Sequence, residues 1–222
     1  MQTKQQVVSA LNEITGGLSQ TTKMPESSFS IPAKHCKVGS KLREVEGSVC
    51  NKCYAMKGNY NYPNVMKAQQ KRYEKLYHPM WVTAMTMLIS IKVKQRFRWF
   101  DSGDIDSLQQ LRNIVAVCVL TPDVQHWLVT KEKRTVRQFL DEGGIVPDNL
   151  VIQMSGYMVD GDIVKGFDDC KQITHHLVHS DRDKALGYIC PVEDGKGFSS
   201  CEESNCFACW DRDVNIVTSG LH

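Results

Sequence analysis

"FRWFDSGDIDSLQQLRNIVAVCVLTP", residues 97–122, sets the plan of the chain. The aromatic run Phe97 to Phe100 suits a strand, and it stops in the polar turn Asp101-Ser102-Gly103-Asp104. From Ile105 to Leu120 the apolar residues Ile105, Leu108, Leu111, Val115 and Cys118 fall at helical steps, ahead of Pro122. Strand, polar turn, helix is therefore the local order.

The same order recurs downstream. "HWLVT" (126–130) precedes a helical stretch that runs to Glu142 and closes at Gly143-Gly144, "NLVIQM" (149–154) runs into "SGYMVDGD", and "ALGYIC" (185–190) reads as a later strand. Alternation at this spacing predicts a parallel sheet with helical crossovers, hence an α/β fold. Ligands in such folds collect at the loops that follow the strands. Asp101 and Asp104, with Ser102-Gly103 between them, then lie where glycine lets backbone approach a ligand; either aspartate also suits the cap of a helix beginning at Ile105. Thr130, Lys131, Gln153 and Ser155 follow the next two strands and could open into the same mouth, though each alone is ordinary loop polarity.

Upstream, Val7, Val8, Leu11 and Ile14 predict a helix over 4–15, and residues 18–35 read as loop or irregular strand. Two more helices follow, over Val65 to Tyr77 and after Pro79, where Trp81, Met85, Leu88 and Ile91 share a face. Residues 168–184 fit helix and strand equally well. Lys131, Lys133, Arg134 and Arg137 are expected on a solvated helix face, and His175, His176 and His179 on the surface.

With 222 residues the chain can bury one core. Its 27 Lys and Arg against 25 Asp and Glu, spread rather than clustered, leave no broad footprint for nucleic acid. The opening residues lack the apolar run of a signal peptide, and no stretch reaches the ~18 apolar residues of a membrane span. A cytoplasmic, reducing setting is expected, in which nine cysteines point to metal ligation rather than disulfides.

Seven of the nine form two groups. Cys36, Cys50 and Cys53 have gaps of thirteen and two, a trio that either recruits a fourth donor such as His35 or leaves one coordination position open. Cys190, Cys201, Cys206 and Cys209 have gaps of ten, four and two, a complete tetrahedral set for zinc or a four-iron cluster. Cys118, on the buried helical stripe, and the solitary Cys170 read as small apolar residues. We place a main unit at 1–189 and a cysteine-rich metal-binding tail at 190–222.

Three stretches together, "CNKCYAMKGNY", "RWFDSGDIDSLQQLRNI" with "HWLVTKE", and "ICP…CEESNCFACW", resemble the phage-encoded gene product 88 family, proteins distantly similar to radical S-adenosylmethionine (SAM) enzymes. The resemblance implies a partial (β/α) barrel of radical-SAM-like type, with the cysteine-rich extension at its C-terminus. It implies a [4Fe-4S] cluster on Cys36, Cys50 and Cys53, with one iron open for SAM or another small ligand and Tyr54 packing on the cluster. Asp101, Ser102, Gly103 and Asp104 would replace the glycine-rich turn that contacts the methionine part of SAM. The tail would hold a second [4Fe-4S] cluster or zinc. The implied activity is that of a radical-SAM-like oxidoreductase or lyase, with an electron donor and a small-molecule or macromolecular substrate, working in a host cytoplasm. The residues alone leave two other readings: a non-catalytic iron–sulfur carrier, sensor or phage structural component, and a zinc-stabilised nucleic-acid module.

Overall fold

A computed structural model describes residues 3–167, 170–192 and 197–221. Helix α1, Lys4–Thr15, opens with a capping box in which Thr3 accepts from the Gln6 backbone and the Gln6 side chain accepts from the Thr3 backbone. Strand β1, Ser27–Phe29, lies in the stretch expected to be irregular, and is followed by helix α2, Lys37–Leu42, which the sequence pattern did not signal. Helices α3, Pro63–Lys75, and α4, Trp81–Lys92, match the two expected stripes.

The deciding stretch folds as read, with one correction. Strand β2, Arg96–Trp99, leads through the Asp101–Asp104 turn to helix α5, Leu108–Leu120. The helix begins later than Ile105, and its cap is Ser107, which accepts from the Gln110 backbone. Neither Asp101 nor Asp104 caps it, which frees both carboxylates for work between loops.

Strand β3, Gln125–Thr130, helix α6, Lys133–Asp141, and strand β4, Leu150–Ser155, complete the alternation. Strand β5, Ile173–His179, resolves most of the ambiguous segment; its residues 168 and 169 lie outside the described residues. Of "ALGYIC" only Tyr188–Ile189 is strand β6, and strand β7, Ile216–Gly220, was not expected. All seven strands are parallel, in the order β1-β2-β3-β4-β5-β7-β6, so β7 is inserted between β5 and β6. The sheet is open: β1 and β6 are its edges.

Side chains alternate across a strand, so each strand has one face toward the helices. On that face Phe97, Trp99, Leu128, Ile152 and Met154 pack with Trp81 and Met85 of α4, Leu111 and Ile114 of α5, and Val136 and Phe139 of α6. Helix α1 lies on α4 through Leu11, Ala84 and Leu88. No helix of the described residues is long and apolar enough to cross a membrane. The other face of the sheet carries Arg98, Trp127, Val129, Ser155, His176, Val178 and Ser219, and these line a cavity.

Candidate functional site

The cavity has a volume of about 470 Å³, within the range of small-molecule sites. Its rim is made by the loops that follow β1, β2, β3 and β4. Cys36, Cys50 and Cys53 come from the first of these, Asp101 to Asp104 from the second, Thr130 and Lys131 from the third and Ser155 from the fourth. The topology thus brings together the residues singled out in four separate stretches of the chain.

Several unrelated contacts hold the cysteine loop. Cys36 is the residue before α2, and the Val38 backbone in the first turn of that helix donates to Glu132 Oε1 at 2.9 Å, tying the loop to the end of β3. Arg43 Nη1 donates to the Ala33 carbonyl at 3.1 Å. Val49 donates to the Tyr157 carbonyl and Val159 to the Gly47 carbonyl, both at 2.9 Å, so the chain after β4 clasps the loop before Cys50.

At the centre of this loop stands Gly39. A β-carbon built there would lie 3.0 Å from the Cys36 Cβ, 3.5 Å from the Cys50 sulfur and 3.7 Å from the Cys36 sulfur. The two sulfurs therefore both border the space beside Gly39, which a β-carbon would partly fill. Burial pushes the Cys36 and Cys50 thiols above their ordinary pKa; Asp104 and the neighbouring cysteines add to this at Cys36, while Lys131 opposes it at Cys50. Thiols raised in this way are poor free nucleophiles, and a bound metal cation reverses the balance by taking them as thiolates. Soft donors, an open cradle and a nearby buried ammonium fit an iron–sulfur cluster. Among the described residues no group of three or more His, Cys, Asp or Glu side chains is gathered to hold a single metal ion.

The aspartate turn is built into the scaffold rather than hung from it. Asp104 Oδ1 accepts from Thr130 Oγ1 at 2.5 Å and from the Ile105 backbone at 2.8 Å, and its Oδ2 accepts from the Lys131 backbone at 2.9 Å. Burial outweighs these bonds and pushes its carboxyl up to about 6. Asp101 accepts from Ser28 Oγ at 2.7 Å and Tyr60 OH at 3.2 Å, and burial raises it as well. Ser102 Oγ donates to the Ile31 carbonyl at 3.1 Å. Gly103 has a φ of +87°, and a β-carbon there would come within 2.3 Å of Ile31 Cγ1, so both conformation and close approach demand glycine.

Tyr54 lies beside Cys53 and lines the cavity, its hydroxyl donating to the Asp101 carbonyl at 2.6 Å. His35, a candidate fourth ligand, is instead stacked on Tyr73 at 3.8 Å between ring centres, with Nε2 3.4 Å from Gln70 Oε1. Lys131, read both as a residue of the mouth and as part of a solvated helix face, lines the cavity and is buried; its ammonium donates to Ser155 Oγ at 2.5 Å and to the Gly156 carbonyl at 2.6 Å. It turns inward because it belongs to the end of β3, before α6 begins. Gln153 is buried but serves Trp127, accepting from its Nε1 at 2.8 Å. The histidines expected at the surface lie in β5: His175 and His179 are buried, and His176 lines the cavity with Nε2 2.9 Å from Ser219 Oγ.

The second cysteine group closes the cavity from the side. Cys190 donates its backbone N–H to the Thr218 carbonyl beside β6, at 2.8 Å, and Cys201 donates to the Lys23 carbonyl ahead of β1, at 2.9 Å. The tail therefore reaches from one edge of the open sheet toward the other. Its far end is seated by Trp210, whose Nε1 donates to the Phe97 carbonyl at 3.1 Å and whose ring meets Trp127 at 5.1 Å. Burial holds the Cys209 thiol well above its ordinary pKa, and Cys190, Cys201 and Cys206 push it the same way, so each of the other three thiols lies within electrostatic reach of Cys209. Cys190, Cys201 and Cys209 share the cavity wall with the first trio.

Gly39, Glu132 and Arg98 were not anticipated. The alternation Arg96-Phe97-Arg98-Trp99 did carry a signal for Arg98, since every second residue of that strand is cationic and so faces away from the apolar core. Nothing local marks Glu132, which acts on a loop ninety-four positions earlier.

Residues 3–213 match the family described as Gene product 88, and the chain belongs to that family. No curated protein and no solved structure matches it.

Proposed function

We propose that this member of the gene product 88 family is an iron–sulfur protein of atypical radical-SAM-like kind, built on a partial (β/α) barrel. Cys36, Cys50 and Cys53 would hold a [4Fe-4S] cluster with one iron left for SAM or another small ligand. The observation that carries the reading is a single cavity at the strand-end loops of a parallel sheet, walled by those three thiols, the Asp101–Asp104 turn and Lys131.

Such a cluster supplies a transferable electron and a coordination position open to a small molecule. The chain supplies the rest. Gly39 leaves room between the Cys36 and Cys50 sulfurs. Lys131, near enough to Cys36, Cys50 and Cys53 to feel their charge, offsets the negative charge of thiolates in a buried place. Asp104 and Ser102 brace the turn against β3 and the segment after β1, which orients the Gly103 backbone toward the cavity. The tail, with a second [4Fe-4S] cluster or zinc on Cys190, Cys201, Cys206 and Cys209, excludes water from the side.

A second reading has its own observation. Because Cys190, Cys201 and Cys209 line the same cavity, one of them could close the first site as a fourth ligand, leaving a cluster suited to electron transfer and not to ligand binding. Anaerobic purification with iron and acid-labile sulfide analysis separates the two. On the first reading Cys50→Ala loses about four irons, SAM alters the spin-resonance signal of the reduced wild type, and 5′-deoxyadenosine or methionine forms. A signal indifferent to SAM, with no cleavage product, favours the closed cluster; iron retained in full by Cys50→Ala defeats both.

A further inference from the structure

Arg72 and Arg212 meet oxygen at every guanidinium nitrogen. Arg72 donates from Nε to the Gly17 carbonyl at 3.1 Å, from Nη1 to Ser30 Oγ at 2.9 Å and from Nη2 to the Leu18 carbonyl at 3.0 Å. Arg212 donates from Nε and Nη2 to the Leu150 carbonyl at 3.2 and 2.8 Å, and from Nη1 to Asp148 at 3.2 Å. In both, each nitrogen of the guanidinium meets oxygen, as a structural arginine requires when its charge leaves water.

Arg98 differs. Its Nη1 has only the thioether sulfur of Met24, at 3.2 Å, and its Nη2 the Tyr54 hydroxyl, at 3.3 Å. The Nε is buried and has no hydrogen-bond partner among the described residues. A thioether is a weak acceptor, so of the three guanidinium nitrogens only Nη2 meets oxygen among the described residues. The group lies 4.5 Å from the centre of the Trp127 ring, in the wall of the cavity. Asp101 is near enough to feel its charge, but that carboxylate is spent on Ser28 and Tyr60 and makes no ion pair with Arg98 among the described residues. Lys131, a buried cation of the cavity, has two good acceptors in Ser155 and Gly156.

A half-buried cation with a buried, unpartnered Nε, in a cavity large enough for a small molecule, is arranged for a ligand that brings the missing acceptors. We propose that Arg98 anchors a subsite for an oxyanion, the carboxylate or phosphate group of a small molecule other than SAM that enters the cavity. A guanidinium takes either group through two parallel N–H bonds, and the Trp127 face beneath it holds the plane in place. The assignment takes from the proposed function only that a small molecule enters the cavity, and it needs no iron.

The test uses the full chain, purified anaerobically and titrated with sodium phosphate and, separately, sodium benzoate against sodium chloride at matched ionic strength. Melting temperature and calorimetry follow binding, and iron, zinc and sulfide are measured on the same samples. The expected result is a saturable rise in melting temperature with one or both anions. The dissociation constant should weaken about tenfold or more in Arg98→Met, and less in Arg98→Lys, which keeps the charge and loses the fork. A response to phosphate alone assigns a phosphate ligand, and one to benzoate alone a carboxylate. The proposal is overturned by a wild type that responds no more than to chloride, or by equal affinities in wild type and Arg98→Met. It is overturned too if Arg98→Met sheds metal while anion affinity holds, which would make the guanidinium a countercharge for the tail thiolates. Competition between benzoate and SAM would also overturn it, by giving the subsite to the methionine carboxylate. Because metal content is read independently, a protein without iron that still binds the anions keeps this subsite and loses only the cluster.

Discussion

Strand β2 shows the two halves of this molecule in four residues. Phe97 and Trp99 face the helices and are fully buried among rings, 4.8 Å apart between centres and edge to face. Arg96 and Arg98 face the other way, the first over the Phe207 ring of the tail at 3.6 Å, the second in the cavity wall. One face of the sheet is apolar and closely packed; the other is polar, and part of it is open space. The difference assigns stability to the helix side and chemistry to the cavity side, and each assignment can be broken separately.

The largest expected effect is on the helix side. Trp99 touches Phe29, Trp81, Phe97 and His126, with no access to solvent. Trp99→Ala should lower the free energy of unfolding by about 3–5 kcal/mol, read from urea titrations, because the ring leaves a cavity its neighbours cannot fill. Iron bound per folded molecule should not change. If it falls in step with stability, the two faces are one unit and the comparison fails.

A smaller effect on the same face depends on pH. His126 is stacked on Trp99, its Nε2 2.8 Å from Thr121 Oγ1, and burial lowers its pKa to about 3. The unfolded chain binds a proton near pH 6.5 that the folded chain refuses, so His126 contributes stability above that pH which is lost as pH falls toward 3. Between pH 7 and pH 5 the wild type should lose about 2 kcal/mol more than His126→Gln. Equal losses would mean that this ring is charged, or solvated, inside the fold.

How much of this was legible in the chain follows the same division. The helix side was: apolar spacing located α1, α3, α4, α5, β2, β3 and β4, because burial on one face imposes a period that any window of the sequence retains. At the sheet's end the reading was partial: β6 lies within the strand expected over 185–190 but keeps only two of its residues, and β7 was missed because it is placed by pairing with β5 and not by its own pattern. On the cavity side the reactive residue types were visible, Cys36, Cys50 and Cys53 and the Asp101–Asp104 turn, but their supports were not. Lys131 was read both as a residue after a strand that could open into the mouth and, by its charge, as part of a solvated helix face; its place directly after β3 turns it inward. The histidines of β5 were expected at the surface because residue type alone points there, whereas in a strand His175 and His179 share the buried face. Long-range partners such as Glu132 for α2 leave no local trace at all.

The smallest expected effect is the most pointed. Gly39 lies inside α2, where glycine is less favourable than alanine by roughly 0.5–1 kcal/mol because it orders more backbone for no side-chain contact. Only the space beside the Cys36 and Cys50 sulfurs gives a reason for it. Gly39→Ala should therefore leave the metal-free protein slightly more stable, or unchanged where the 3.0 Å approach to the Cys36 Cβ offsets the helical gain. The same variant should bind less iron on anaerobic reconstitution and lose it sooner to a chelator. That pairing of signs, stability kept and iron lost, is what a cradle predicts and a packing position does not. Should Gly39→Ala unfold early and hold its iron normally, the cysteine loop belongs with the packed half of the molecule, and the division drawn through β2 does not reach it.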